Sequence, residues 1–445
     1  MENSHSWRRV VGLESKARGS ESRFAAYVEA ITSALGHADR AMPFRSYCAG
    51  LLLPGDRKSV EPMAARVQPA RVQATHQSLH HFVAKAEWSD DAVLAAVRAR
   101  VLPVIERHGK IRALIIDDTG IPKKGKHSVG VARQYCGQLG KQDNCQVAVS
   151  LSAANDHASL PLAYRLYLPH EWVDDPARRA GAGIPEDVAF QTKPQIALDQ
   201  LRAAVAAGID AEVALADAGY GNDTDFRDGI TEIGLPYAVG IQSSTSLWPP
   251  GAEPLPPKQW SGRGRPTSSI RRDAEHQPIS AKQLALGLPK KAWRRVSWRE
   301  GTNTKLTARF AAVRVRPAHR DYERSTPRPE EWCLIEWPAD EPEPTKYFLS
   351  TLPANISRRA LVNATKLRWR IERDYQDLKQ ELGLGHYEGR GWRGFHHHAT
   401  LCIAAYGFLI SEREAIPPSG PSDAILVEEH RLPAGYRPRG SPDPT

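Results

Sequence analysis

The chain has 445 residues, 25% of them charged and 41% hydrophobic, which fits an ordinary soluble protein long enough for a large core and more than one domain. Five scattered cysteines (Cys48, Cys136, Cys145, Cys333, Cys402) form no CxxC pair, which excludes a disulfide framework or a zinc module and suits a reducing cytoplasm. The polar start Met1–Arg9 lacks an apolar signal core and the longest apolar run, Leu401–Ile410, is too short to span a bilayer, so a cytoplasmic protein without membrane contact is expected.

The net charge of +9 is concentrated. Between Lys258 and Arg328 stand eighteen Lys and Arg against five Asp and Glu, a local +13, so the rest of the chain sums to −4. One basic segment in an otherwise slightly acidic chain is the footprint of a nucleic-acid binder.

In chain order, residues 1–20 are polar and aperiodic and are expected to be disordered. A helical domain able to read DNA, though without a helix-turn-helix signature, is predicted over 21–110: Phe24, Tyr27, Val28, Ile31 and Leu35 recur at helical spacing, as do Val93, Leu94, Val97, Val101, Val104 and Ile105 after Ser89-Asp90-Asp91. The histidines at 76, 80 and 81 have no Cys or carboxylate beside them, so they do not read as a metal site.

From 111 to 241 the pattern is mixed α/β. The run Ala113–Ile116 ends in Asp117-Asp118, and strands are predicted at Gln146–Leu151 and Leu162–Leu168, with Asn155-Asp156-His157 as their turn. A helix over 193–207, a strand Val213–Ala216 ending in Asp217, a helix near 223–233 and a strand Tyr237–Ile241 follow. Residues 242–353, rich in Pro, Gly and Arg with strand-like runs at Phe310–Val315, Trp332–Trp337 and Tyr347–Ser350, read as a mostly β insertion. Residues 354–416 return to helix, and the tail 417–445 is expected to be disordered.

Residues 367–382 read as one helix. At about 100° per residue, Arg368, Glu372 and Lys379 share a narrow line beside an apolar stripe of Leu367, Ile371, Leu378 and Leu382. A carboxylate on that line can hold a metal while the cations hold phosphates; the alternative is a solvated face with i,i+4 ion pairs. Two aspartates at strand ends and a glutamate on a later helix are what two-metal phosphoryl transfer requires, because carboxylates are hard oxygen donors suited to Mg²⁺.

These stretches resemble the DDE transposases of bacterial insertion sequences, and among them the insertion sequence 701 family, over most of residues 45–415. Ile116–Gly125 resembles the family's first aspartate motif and Leu215–Gly221 its second. Arg368, Glu372 and Lys379 match the spacing of the Tyr-x2-Arg-x3-Glu-x6-Lys signature, with Thr365 at the tyrosine position. The resemblance implies a ribonuclease H-like mixed sheet interrupted by the β insertion, and a DNA strand transferase that cuts at the ends of its own element and joins the 3′-hydroxyl to target DNA. It further implies Asp117, Asp217 and Glu372 as ligands of two Mg²⁺ ions, for which Mn²⁺ can substitute, with Arg368 and Lys379 on DNA phosphates. The expected partners are the element's terminal inverted repeats, target DNA and further copies of the chain in the DNA complex.

Asp117 is favoured over Asp118, since neighbouring strand residues point to opposite faces; Asp118 is then expected to cap the following turn. Lys123 and Lys124 are either helpers or a solvated loop. The histidines His396–His398 are expected to be polar or DNA-facing rather than metal ligands. Within the insertion, Arg263 and Arg265 of Arg263-Gly-Arg-Pro266 resemble a minor-groove core, Arg294, Arg295 and Arg299 are expected on phosphates, and Trp260, Trp293 and Trp298 are either base-stacking or core residues. The rival readings are a nuclease of the same fold without strand transfer and a domesticated DNA-binding protein without catalysis.

Overall fold

The computed structural model describes residues 19–263, 268–300 and 304–415. The expected disordered tail lies outside them, as does 1–18, whereas residues 19 and 20, expected to be disordered, are helical. Helices α1 (19–32), α2 (Ala41–Leu52), α3 (Val60–Val67), α4 (Val72–Ala84) and α5 (Asp90–Glu106) come first. α5 begins where the Ser89 hydroxyl accepts the Ala92 N–H, with Asp90 and Asp91 on the positive end of the helix.

The sheet begins with β1 (Ala113–Pro122), β2 (Ala132–Cys136), β3 (Lys141–Ala154) and β4 (Ser159–Leu166). The turn between β3 and β4 forms because the Asn155 Oδ1 accepts the N–H groups of His157 and Ala158, each at 2.9 Å. Short helices α6 (His170–Val173) and α7 (Pro176–Ala182) lead to α8 (Lys193–Ala206), β5 (Val213–Ala216), α9 (Ala218–Gly221), α10 (Thr224–Glu232) and β6 (Tyr237–Ile241). β1 runs antiparallel to β3 and parallel to β5, and β5 runs parallel to β6, so the first part of the sheet reads β4-β3-β1-β5-β6.

The segment after β6 continues the sheet rather than standing apart from it. It contains β7 (Ser246–Trp248), β8 (Ile279–Ser280), α11 (Ala281–Gly287), β9 (Arg294–Glu300), β10 (Thr304–Pro317), β11 (Glu331–Trp337) and β12 (Lys346–Ser350). β12 pairs antiparallel with β6, β11 with β12, and β10 with β11, while β9 pairs with the other side of β10.

The chain closes with α12 (Arg358–Lys366), α13 (Trp369–Gln376) and α14 (Trp392–Ala415). The two-residue period of β1 and β5 sorts the core. Leu114, Ile116, Ala214 and Ala216 pack in one cluster with Ile196 and Leu201 of α8 and Ile230 of α10, whereas Ala113, Ile115, Val213 and Leu215 pack with Leu361, Leu367 and Ile371 of the α12–α13 region.

α14 carries the long apolar run and is buried all round over Leu401–Ala405, as expected of a core helix. Tyr27 of α1 donates its hydroxyl to the Ala404 carbonyl at 2.7 Å. No helix among the described residues is long and apolar enough to cross a membrane.

Of the α14 histidines expected to be polar or DNA-facing, His397 and His398 do not face outward, because each is only 2% exposed. His398 takes a hydrogen bond from the Tyr47 hydroxyl on Nδ1 and donates Nε2–H to the Gly383 carbonyl, and burial pushes its pKa down to about 4, so it is a neutral packing residue. His397 stacks on Trp88 at 3.6 Å and meets Asp90 through Nδ1.

Candidate active site

β1 does not end at the aspartates as the sequence suggests; it runs on to Pro122, because β3 pairs with it as far as Cys145. Asp117 and Asp118 therefore lie in mid-strand and point to opposite faces. Asp118 shares a face with Leu114 and Ile116, where it receives the Lys193 ammonium at 2.8 Å and the Tyr220 hydroxyl at 3.4 Å. This corrects the expected turn-capping role of Asp118: it is the partner of α8.

Asp117 faces the α12–α13 side. The parallel register pairs Ile115 with Leu215, and two residues further on it brings Asp117 level with Asp217. Asp217 follows the last residue of β5 and caps α9, accepting the Gly219 N–H at 2.9 Å. The turn it begins lies directly on β6: a Cβ at Gly240 would stand 2.8 Å from the Ala218 nitrogen and 3.1 Å from the Asp217 carbonyl carbon, and one at Gly221 would run into the Gly240 carbonyl. Two glycines thus let the backbone that holds Asp217 approach β6, and a glycine inside a strand is the sequence signal for such an approach. Gly240→Ala is expected to move Asp217 and lower any cleavage activity by about 10²-fold. The fold should be largely kept, whereas Gly287→Ala, where nothing lies within 4 Å of the new atom, should be silent. Cleavage rate alongside thermal melting checks this; unchanged cleavage in a folded Gly240→Ala protein would detach Asp217 from the site.

Residues 367–382 are not the single helix that the 3.6-residue period suggests. Leu367 and Arg368 form a turn after α12, α13 ends at Gln376, and Asp377–Glu381 form a π-helical turn. The extra residue per turn changes the angle at which Lys379 leaves the axis, and its ammonium reaches the Gly120 carbonyl of β1 at 3.0 Å. The apolar stripe is buried at all four positions. Asp374 anchors this region, accepting the Ser159 hydroxyl at 2.6 Å and the Tyr406 hydroxyl at 3.1 Å, and burial pushes its carboxyl up to about 6. Asp377 does the same with Arg373 and Arg413, at 3.1 and 3.0 Å. Thr365, at the signature's tyrosine position, is buried and donates to the Leu361 carbonyl of its own helix.

The meeting point of the acidic residues is Arg368. Its Nη1 donates to Asp117 Oδ2 at 2.8 Å and its Nη2 to Glu372 Oε1 at 2.7 Å. Burial opposes its charge, but Asp117, Glu372 and Asp217 outweigh burial and raise the guanidinium pKa. Burial also pushes the Asp117 carboxyl up to about 7; Arg368 works against this, and the charges of Asp217 and Asp118 add to it. Two carboxylates thus share one guanidinium while the charge of Asp217 acts on it from further off, and among the described residues no three His, Cys, Asp or Glu side chains converge closely enough to hold a metal ion as they stand.

The other expected site residues lie elsewhere. Arg263 is exposed beyond β7, and Arg294 and Arg295 are exposed on β9, with Arg294 donating to the Lys291 carbonyl at 2.8 Å. Arg265 lies outside the described residues and Arg299 outside the described side chains. Trp298 is a core residue, 8% exposed and edge-on to Phe310 at 5.4 Å, and Trp293 meets Trp337 edge-on at 5.1 Å.

The profile of the DDE superfamily endonucleases matches residues 31–305, which takes in Asp117 and Asp217 and stops before the helix of Glu372. Among curated proteins, the probable transposase for insertion sequence element IS701 of Microchaete diplosiphon is 34% identical over 169 residues, 38% of this chain and 41% of that protein. The chain thus spans less than half the length of that relative. Among solved structures, a cryo-EM structure of the piggyBac transposase synaptic complex with hairpin DNA aligns with a TM-score of 0.40 and 9% identity, over 85% of this chain and 66% of that one. Since the family profile matches more than half of the sequence, the chain belongs to the DDE superfamily endonucleases.

Proposed function

We propose that this chain is an insertion-sequence transposase that cuts DNA at the ends of its element and joins the freed 3′-hydroxyl to target DNA. The observation that carries the reading is the meeting of Asp117 and Glu372 on one guanidinium, with Asp217 brought level with Asp117 by the adjacent parallel strand. The strand order β4-β3-β1-β5-β6, with two antiparallel pairs beside two parallel ones, supports a ribonuclease H-like core over 111–241 and 354–416. Residues 242–353 would then be its basic β insertion and 21–110 a helical domain.

The residues fit divalent metal. Their donors are hard oxygens, and three carboxylates against one guanidinium leave negative charge that a further cation would neutralise. Asp117, Asp217 and Glu372 would hold the ions, Mg²⁺ or Mn²⁺, which when bound supply Lewis-acid activation of the attacking and leaving oxygens. Arg368 and Lys379 would hold DNA phosphates beside them, Arg368 giving up its carboxylate contacts to do so. The exposed Arg294 and Arg295 on β9 would bind the DNA backbone further out, and a homo-oligomer would bring two element ends together.

The test uses the inverted repeats bracketing the reading frame as substrate, both intact and pre-cut. Mg²⁺-dependent nicking at the repeat end together with joining of the pre-cut 3′ end is the expected result. Nicking without joining would make the chain a nuclease, and binding without either reaction would make it a DNA-binding protein.

A further inference from the structure

Beyond Asp117, β1 runs towards a second charged site. Arg57 from the loop after α2, Lys123 and Lys124 after β1, and Arg390 before α14 line a cavity of about 400 Å³ together with His127, and the acidic residue lining it is Glu388, already paired with Arg57. Its walls are tied together. Lys123 donates to the Tyr387 carbonyl at 2.8 Å, the Val129 N–H to the Arg390 carbonyl at 3.0 Å, and the Lys58 N–H to His386 Nδ1 at 3.0 Å. Gly383, at φ +65°, lets the chain pack on the Lys58 side chain. The local potential is positive: after burial, it is Arg57, Lys58 and Lys123 that lower the His386 pKa.

The cavity lies on the same face as the acidic cluster. Lys123 is six residues past Asp117, an even number, so the two share a face of the strand, about 20 Å apart at 3.3 Å per residue. Lys379, bound to the Gly120 carbonyl, stands between them. A line of cations therefore leads from the carboxylates to the cavity, too far for any of the cavity's charges to serve the reacting phosphate.

We propose that the cavity of Arg57, Lys123, Lys124, His127 and Arg390 is a second DNA-backbone subsite, which grips strand phosphates about 20 Å from the acidic cluster and so sets the direction in which DNA crosses β1. This rests on the transposase reading. Arg57 is exposed but held by Glu388, which among the described residues leaves Lys124 and Arg390 as the exposed cations of the site outside an ion pair, and each would neutralise one phosphate and release its counterion.

The experiment measures binding of the full chain to a fluorescein-labelled 30-base-pair duplex by anisotropy across a KCl series in EDTA. The logarithm of the binding constant should fall linearly with the logarithm of salt. In Lys124→Ala/Arg390→Ala the slope should become shallower by about 1.8, at about 0.9 per phosphate. Lys124→Gln alone, a change of one exposed side chain, should lower it by about 0.9 if the double variant fails to fold, and Lys124→Arg/Arg390→Lys should keep the parent slope. A parent slope retained in Lys124→Gln, or in the folded double variant, would overturn the subsite and leave the transposase reading standing. Failure of the parent chain to bind the duplex at low salt would instead remove the reading on which the subsite rests.

Discussion

Glu372→Gln is expected to abolish strand cleavage and joining, by about 10²–10³-fold or more, while leaving DNA binding close to that of the parent. The Glu372 side chain is 60% exposed and, among the described residues, its hydrogen-bond partner is Arg368 Nη2. A glutamine of the same length can still accept that hydrogen bond, so the change removes a metal-binding charge without opening a cavity. Asp117→Asn should be equally inactive. Asp118→Asn should stay active and weaken only the contacts with Lys193 and Tyr220 on the far face of β1. Cleavage assays on the three folded variants check this: an active Glu372→Gln protein would remove Glu372 from the ligand set, and an active Asp117→Asn beside an inactive Asp118→Asn would exchange the two aspartates.

The second large effect concerns stability. Lys366, the last residue of α12, meets Glu336 of β11 at 2.6 Å, with side-chain exposures of only 10% and 4%. The ammonium also lies 4.5 Å from the centre of the Trp298 ring, where the negative face of the indole favours a cation. Lys366→Met leaves a carboxylate buried without its counter-charge and should cost about 3–5 kcal/mol, whereas Lys366→Met with Glu336→Leu should return to within about 1–2 kcal/mol of the parent, since apolar packing replaces a buried ion pair at little net cost. Urea unfolding of the three proteins decides it. A single variant that loses less than about 1 kcal/mol would mean that water reaches Glu336. Because Lys366 precedes the turn that presents Arg368, the single variant should also disturb the acidic cluster.

The sequence was most legible where local pattern and tertiary environment agree. β5 and β6 begin and end where their apolar runs do, because both are short and buried on both faces, and α8 is framed by a Thr192–Gln195 capping box. Asp117 and Asp217 could be singled out because each follows such a run. What stayed hidden depends on partners distant in the chain. Thr119-Gly-Ile-Pro122 has turn composition but is held as strand by β3, and β12 adds to β6 through a pairing more than a hundred residues apart. The π-turn at Asp377–Glu381 leaves the hydrophobic stripe intact and so leaves no trace in periodicity. The histidines of α14 have polar side chains, and only the packing of Tyr47, Trp88 and Asp90 against them makes them core.

The unbroken ladder from β5 through β6, β12, β11 and β10 to β9 makes the sheet a ruler. Five strand spacings separate the strand that delivers Asp217 from the one that carries Arg294 and Arg295, about 24 Å at 4.8 Å each, or roughly seven base pairs of duplex. Twist accumulates over the same steps to roughly 100°, so the outer face of β9 looks in a different direction from that of β1. Where a flexible tether would let that spacing drift, a hydrogen-bonded ladder fixes it, and adding or removing a strand would change it in steps of one strand width.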